Sequence, residues 1–449
     1  MTRSSPNHSH NNSLGAVNVN WLVITTAIAT VAAIVGIIAD GGTIFNWFKG
    51  SSPTKTDNDN VTLVAPPSPT RENQTPRNYD NVTASQTQDA KTYYNRGKEH
   101  YDLRNYEQAI ADFNRTIQLN PKYAIAYIYR GLVYYYQGNY EQAIADYNRA
   151  IQLNPKDAYA YNNRGVAYGK QGKYEQALAD YNRAIQINPK YADAYNGRGI
   201  VYYNQGNYEQ ALADYNRAIQ LNPKYADAYN GRGIVYYNQG NYEQAIADYN
   251  QAIQLNPKYA EAYNNRGIVY EKQGKYEKAL ADYGESIRLN NSELWFPYNN
   301  RGIVYEKQGK YEQALADYNR AIQINPKYAE AYNGRGIVYE KQGKYEQALA
   351  DYNRAIQLNP KYANAYNGRG IVYKEQGKYE QALADYNQAI QINPKYADAY
   401  YNRGNVYKGN NSIEKAISDF EKAADLYKQQ GNQKWYQNSL DQLKELRGN

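Results

Sequence analysis

Tyr191 to Lys224 reads YADAYNGRGIVYYNQGNYEQALADYNRAIQLNPK, and Tyr225 to Lys258 repeats it with only Leu212 replaced by Ile246 and Arg217 by Gln251. One glycine per copy carries the register along the chain, at Gly97, Gly131, Gly165, Gly199, Gly233, Gly267, Gly302, Gly336, Gly370 and Gly404. These glycines number units 1 to 10. Each step is 34 residues except the one from Gly267 to Gly302, which is one longer. There Asn290-Asn291-Ser292 stands in place of the Asn-Pro that closes most units, and Leu294-Trp295-Phe296-Pro297 follows. Self-similarity at this period means stacked modules that share one continuous core, not globular domains with separate centres.

Unit 4 shows how each module is built. Tyr208, Ala211, Leu212, Tyr215, Ala218 and Ile219 fall three and four apart, which places them on one face of a helix. Upstream, Tyr195, Gly199 and Tyr202 form the stripe of a first helix, which Gly206 ends because glycine tolerates the left-handed conformation at a helix C-terminus. Asn207 with Gln210 three residues on predicts a capping box for the second helix, although Lys173, Lys275 and Lys310 occupy the Asn207 slot elsewhere. Asn222-Pro223 stops that helix, since proline disfavours helical geometry in the residue before it. Gly199 and Ala211 are small where two backbones must cross closely, and tyrosines fill the space beside them.

Tyr195, Gly199, Tyr202, Ala211, Tyr215, Ala218 and Pro223 at these spacings resemble the tetratricopeptide repeat signature, in ten copies from Ala90 to about Lys428. The resemblance implies an all-α fold, a right-handed superhelical solenoid of antiparallel helix pairs whose first helices line a concave groove. Residues 89–430 are read as the ten repeats and 431–449 as a capping helix. On that last helix Tyr436, Leu440, Leu443 and Leu446 share one face, as shielding the end of the array requires. One departure from the family is systematic. An apolar residue usually precedes the glycine, and here Arg198 and its nine equivalents do; each second helix carries a matching aspartate, Asp214 and nine counterparts from Asp112 to Asp419. This predicts structural ion pairs within or between units, Arg198 with Asp214 or Asp180, and Arg232 with Asp248.

Composition narrows the chemistry. The chain has 449 residues, a formal net charge of +7, no cysteine and three histidines. Unit 4 balances Arg198, Arg217 and Lys224 against Asp193, Glu209 and Asp214, so no basic stripe runs along the repeats and no DNA partner is expected. Without cysteine there is neither a disulfide framework nor a thiolate metal site. No phosphate-cradling glycine loop, histidine triad or metal-ligand cluster is present, so no enzyme, cofactor or metal site is expected. His100 takes the slot of Tyr202 and reads as a core residue.

The N-terminal segment has another character. Residues 1–20 are a polar tail, and Trp21 to Ala39 is a run of 19 uncharged residues, long enough to cross the ~30 Å hydrocarbon core of a bilayer as a helix. Trp21 at one end and Phe45, Trp47, Phe48 and Lys49 at the other suit the membrane interface. The reading is a transmembrane anchor at 21–39, the alternative a cleaved signal peptide. Thr25, Ala29 and Ala33 give small residues at four-residue spacing, through which two such helices could self-associate. Charges flanking the span are balanced too evenly to orient it. Residues 40–88 are an interfacial segment followed by a Pro-, Ser- and Asn-rich disordered linker, spanning roughly 35 Å as a flexible coil.

Function then falls to the groove. Asp193, Asn196, Ile200, Tyr203 and Asn204 form a second stripe on the first helix, which the resemblance assigns to the concave surface. Asn196 recurs as Asn162, Asn230, Asn264, Asn299, Asn333 and Asn367, a row of amides suited to binding a peptide backbone, unless near-identical units merely copied it. Tyr203 is matched by Tyr101, Tyr135 and Tyr237 and later by Glu271, Glu306, Glu340, Lys374 and Lys408, so this position passes from aromatic to charged. Trp295 and Phe296 read as packing at the misfit between units 6 and 7, the alternative being a contact point for a partner, which an exposed Trp295 would favour. The leading reading is a membrane-tethered scaffold that holds an extended or helical segment of a protein partner. The alternative is a non-protein ligand, a glycan or single-stranded RNA, held by groove Tyr and Asn residues.

Overall fold

The structure, a computed structural model, describes residues 84–289 and 295–448. The predicted anchor at 21–39, the tail and nearly all of the linker lie outside the described residues. Among the described residues, no helix is long and apolar enough to cross a membrane, and all regular structure is helical. Each unit is a helix pair, from Ala84–Asp102 with Tyr106–Leu119 in unit 1, through Ala192–Asn204 with Tyr208–Leu221 in unit 4, to Ala397–Gly409 with Ile413–Gln429 in unit 10. Gln433–Arg447 follows as the last helix and packs on the second helix of unit 10. The first helix begins at Ala84, inside the segment read as linker.

The turns follow from local chemistry. Gly206 has a φ of 79°, its N–H donates to the Tyr203 carbonyl, and the Asn207 N–H reaches back to Tyr202. In units 1 and 10 this left-handed position is filled by Arg104 and Asn411 instead. The Asn207 side chain makes no capping hydrogen bond, contrary to the predicted capping box. Its ψ of 67° is set by the glycine turn and departs from the extended geometry an N-cap usually adopts. Between units the Asn222 side chain accepts from the Lys224 N–H across Pro223 at 3.1 Å, an Asx turn that explains why asparagine precedes the proline.

Stacking depends on one buried ring per unit. Tyr215 of the unit 4 second helix is 2% exposed. A Cβ added to Gly199 of its own unit would lie 3.0 Å from that ring, and one added to Gly231 of the next unit 2.7 Å. The ring is thus core to two units at once. Successive first helices touch one another at every step, whereas successive second helices do not approach as closely. The first helices therefore line the tighter side of the stack.

Candidate functional site: the wall of first helices

The Arg and Asp residues singled out from the sequence meet within each unit. Arg198 Nε and Nη2 donate to both carboxylate oxygens of Asp214 at 2.7 Å, and Arg232 holds Asp248 in the same two-pronged way. The inter-unit partner is not Asp180, which pairs with Arg164 of its own unit. It is Asn182 on the preceding second helix, whose Oδ1 accepts from Arg198 Nη1 at 2.6 Å. Tyr195 and Tyr202 lie against the same guanidinium, their ring centroids 5.5 and 5.9 Å from it. Its hydrogen bond to Asp214 raises the pKa of Arg198. Burial pushes the Asp214 carboxyl up while Arg198 pulls it down, so desolvation offsets much of the Coulombic attraction. These aspartates are committed to structure.

The asparagine row does not present open amides. Asn162, Asn196, Asn230, Asn264, Asn299, Asn333 and Asn367 are all buried, from 0% to 7% exposed. Successive first helices close over them, helped by Gly197, Gly231, Gly334 and Gly368 at the adjacent position. Where the next unit has asparagine there instead of glycine, the amide is answered: Asn265 donates to Asn230, Asn300 to Asn264 and Asn402 to Asn367, at 3.0 to 3.1 Å. Where it has glycine, the Oδ1 atoms of Asn162, Asn196, Asn299 and Asn333 find no partner among the described residues. The row is a seam between units.

Tyr135, Tyr203 and Tyr237 are buried as well, at 6% to 7% exposure. Tyr203 packs its ring 5.8 Å from Tyr208, and its hydroxyl accepts from Asn238 of the next unit at 3.1 Å. The charged members of the same row pair with the neighbouring slot of the next unit or with the last helix. Lys307 donates to Glu271 at 2.8 Å, Lys341 to Glu306, and Lys408 lies 2.6 Å from Glu445. This zipper of complementary charges consumes the gradient that the sequence displays. Trp295 is half-buried with its ring near Phe296 and Tyr328, at 5.9 and 6.2 Å, which makes it a packing residue. His100 is also half-buried, with Nε2 3.8 Å from Asp112.

Half-exposed isoleucines remain on this wall in units 4, 7, 8 and 9, at Ile200, Ile303, Ile337 and Ile371, whereas Ile234 and Ile268 of units 5 and 6 are buried. Acidic residues stand in the first turn of the unit 4 and unit 8 helices, as Asp193 and Glu330, and lysines in the last turn of the unit 7, 8 and 9 helices, as Lys307, Lys341 and Lys374. Each sign faces the helix-dipole end that favours it. The isoleucine slot is visible in the sequence, but it differs from its buried neighbours only by a turn of the helix.

One carboxylate stands apart. In units 4 and 5 the acid at the start of the first helix is tied to the next unit, Tyr225 donating to Asp193 at 2.8 Å and Tyr259 to Asp227. Glu261 of unit 6 is 6% exposed and its Oε1 has no partner among the described residues. Burial, with a smaller push from Asp227 on the preceding first helix, raises its carboxyl to about 7. Tyr259 at the start of its own helix is the other titratable group near it. A folded pKa above the unfolded one gives stability that is complete below the unfolded value near 4.5 and is lost as pH rises through about 7. Unfolding free energies from urea melts should therefore fall between pH 5 and pH 8, by up to roughly 2 kcal/mol from this group. Glu261→Gln should flatten that slope; an unchanged slope would remove Glu261 from the account.

Among the described residues, no group of three or more His, Cys, Asp or Glu side chains could hold a metal ion. Residues 131–172, 170–206, 201–240, 235–274, 304–343, 341–377 and 372–411 match the family described as TPR repeat. Residues 90–123, 260–292 and 397–430 match the description tetratricopeptide repeat. No curated protein matches the chain. Among solved structures, it is similar to a tetratricopeptide repeat protein from Parabacteroides merdae at 23% identity and a TM-score of 0.46, covering 56% of this chain and 99% of that one. The Cut9-Hcn1 hetero-tetramer of APC/C is similar at 13% identity and a TM-score of 0.45, and yeast Tom70 at 15% and 0.44, each covering 80% of this chain and 96% of the other. With family matches spanning more than half of its length, the chain belongs to the tetratricopeptide repeat family.

Proposed function

We propose that this chain is a membrane-tethered scaffold whose wall of first helices, coiled right-handedly, binds an extended or helical segment of a partner protein. The family generally serves protein–protein interaction and is generally non-catalytic. The observation that carries the reading is the run of half-exposed isoleucines in units 7 to 9, Ile303, Ile337 and Ile371, with Lys307, Lys341 and Lys374 in the last turns of the same helices. An apolar strip with lysines along one border suits an amphipathic segment, whose apolar residues take the strip while its acidic residues meet that border. The amides of the Asn196 row and the rings of Tyr135, Tyr203 and Tyr237 are buried between units, so they support the wall without lining it. Their burial also removes the ring faces on which sugars or bases would stack, which counts against a glycan or RNA ligand.

The tether rests on the uncharged run 21–39. The test uses the chain from residue 89 onward as bait in cell extract, beside a variant carrying Ile303→Asp, Ile337→Asp and Ile371→Asp. Both should show the same helical circular dichroism. We expect protein captured by the unmodified bait and lost from the variant, together with alkali-resistant membrane association that the full chain has and residues 89–449 lack. Capture abolished by ribonuclease, or equal capture by both baits, would overturn the binding assignment.

A further inference from the structure

The Arg–Asn link joins each unit to the one before it with a single exception. Arg130, Arg164, Arg198, Arg232, Arg266, Arg335, Arg369 and Arg403 each place Nη1 on an asparagine of the preceding second helix, at 2.5 to 2.6 Å. Arg301 of unit 7 keeps both bonds to Asp317, but the residue opposite its Nη1 is Gly284. A Cβ built on Gly284 meets nothing within 4 Å, so the asparagine's place is open space.

Three further observations fall at the same joint. Glu261 of unit 6 lacks the tyrosine hydroxyl that ties Asp193 and Asp227 to the units after them, because Glu293-Leu294-Trp295 stands where those units carry tyrosine. Ser286 on the unit 6 second helix replaces the usual alanine, and its hydroxyl is buried with no partner among the described residues. By contrast, the links between the first helices themselves are kept and reinforced. Asn300 donates to Asn264 at 3.0 Å, and Lys307 donates to Glu271 at 2.8 Å.

From this we infer that the joint between units 6 and 7 is a hinge, with its pivot along the first helices from Asn264 and Asn300 to Glu271 and Lys307. Among the described residues the Arg–Asn tie from second helix to next unit, which resists opening, is missing at this one of the nine joints, where the second helix keeps the apolar packing of Ile287 in the cluster of Trp295 and Tyr298. In a linear array, stability is a sum of unit and neighbour terms, so the joint with the weakest neighbour term is where two blocks part or rotate. Units 1 to 6 and units 7 to 10 then reorient as blocks, which changes the width of the wall without unfolding any helix. This inference stands whatever the wall binds.

The native chain has no cysteine, so a pair of introduced cysteines takes spin labels at two sites only. Gln142, Gln244 and Gln347 are exposed at equivalent places on the second helices of units 2, 5 and 8. Labels at 244 and 347 span the joint; labels at 142 and 244 cross three joints that have the Arg–Asn link. We expect a distance distribution at least twofold broader for the spanning pair, narrowing towards the control when Gly284→Asn supplies the missing acceptor to Arg301. Equal widths for the two pairs would overturn the hinge. A broad spanning pair that Gly284→Asn leaves broad would overturn the missing link as its cause.

Discussion

Replacing Arg232 with leucine destabilises unit 5 and its joint to unit 4 by about 3 kcal/mol, whereas replacing Arg232 and Asp248 together with leucine costs only about 1 kcal/mol. The single change strands a carboxylate that is 8% exposed, and burial already works against that carboxylate's charge. It also leaves Asn216 Oδ1 without the Nη1 donor that holds it at 2.6 Å. The double change removes both charges and leaves apolar side chains beside the rings of Tyr229 and Tyr236. Hydrogen exchange over residues 226–255, in the intact protein, reads the local loss. Equal losses for the single and double variants would mean that the pair holds the unit by attraction and not through the penalty of a stranded charge.

A second large effect is steric. Gly233→Val should cost about 3 kcal/mol or more, because even a Cβ at that position would sit 2.7 Å from Cε1 of Tyr249. That ring is fully buried and cannot swing aside. Urea unfolding followed by circular dichroism should show the loss, and a second substitution, Tyr249→Ala, should recover part of it by vacating the ring's volume. A loss that Tyr249→Ala only deepens would place the strain elsewhere.

The helices were legible because three-and-four spacing, Gly206 and Asn222-Pro223 all act over neighbouring residues, where sequence distance and spatial distance nearly agree. The Arg198–Asp214 pair was legible because both residues recur in every unit. Asn182 was missed as the third member, although an asparagine stands 16 residues before the arginine in eight units and Gly284 takes its place before Arg301. Finding it needs the offset at which one unit packs on the next, and no helical wheel contains that offset. The same gap explains the asparagine row. Asn196 lies buried on its helix, and the wheel is silent on how closely the next first helix approaches. Gly231 allows that approach, and the amide is enclosed. Ile303, Ile337 and Ile371 keep part of their surface, whereas Ile234 and Ile268 in the same slot are covered, a difference that the helical wheel does not contain either.

The central claim is that helix pairs hold their shape by leaning on neighbours through buried tyrosines and arginine links. Native-state hydrogen exchange of the intact protein tests it most directly. The account predicts amide protection that rises from the ends of the array towards its interior, with helices of interior units opening together. Ten units that exchange independently, each with the low protection of a lone helix pair, would contradict it.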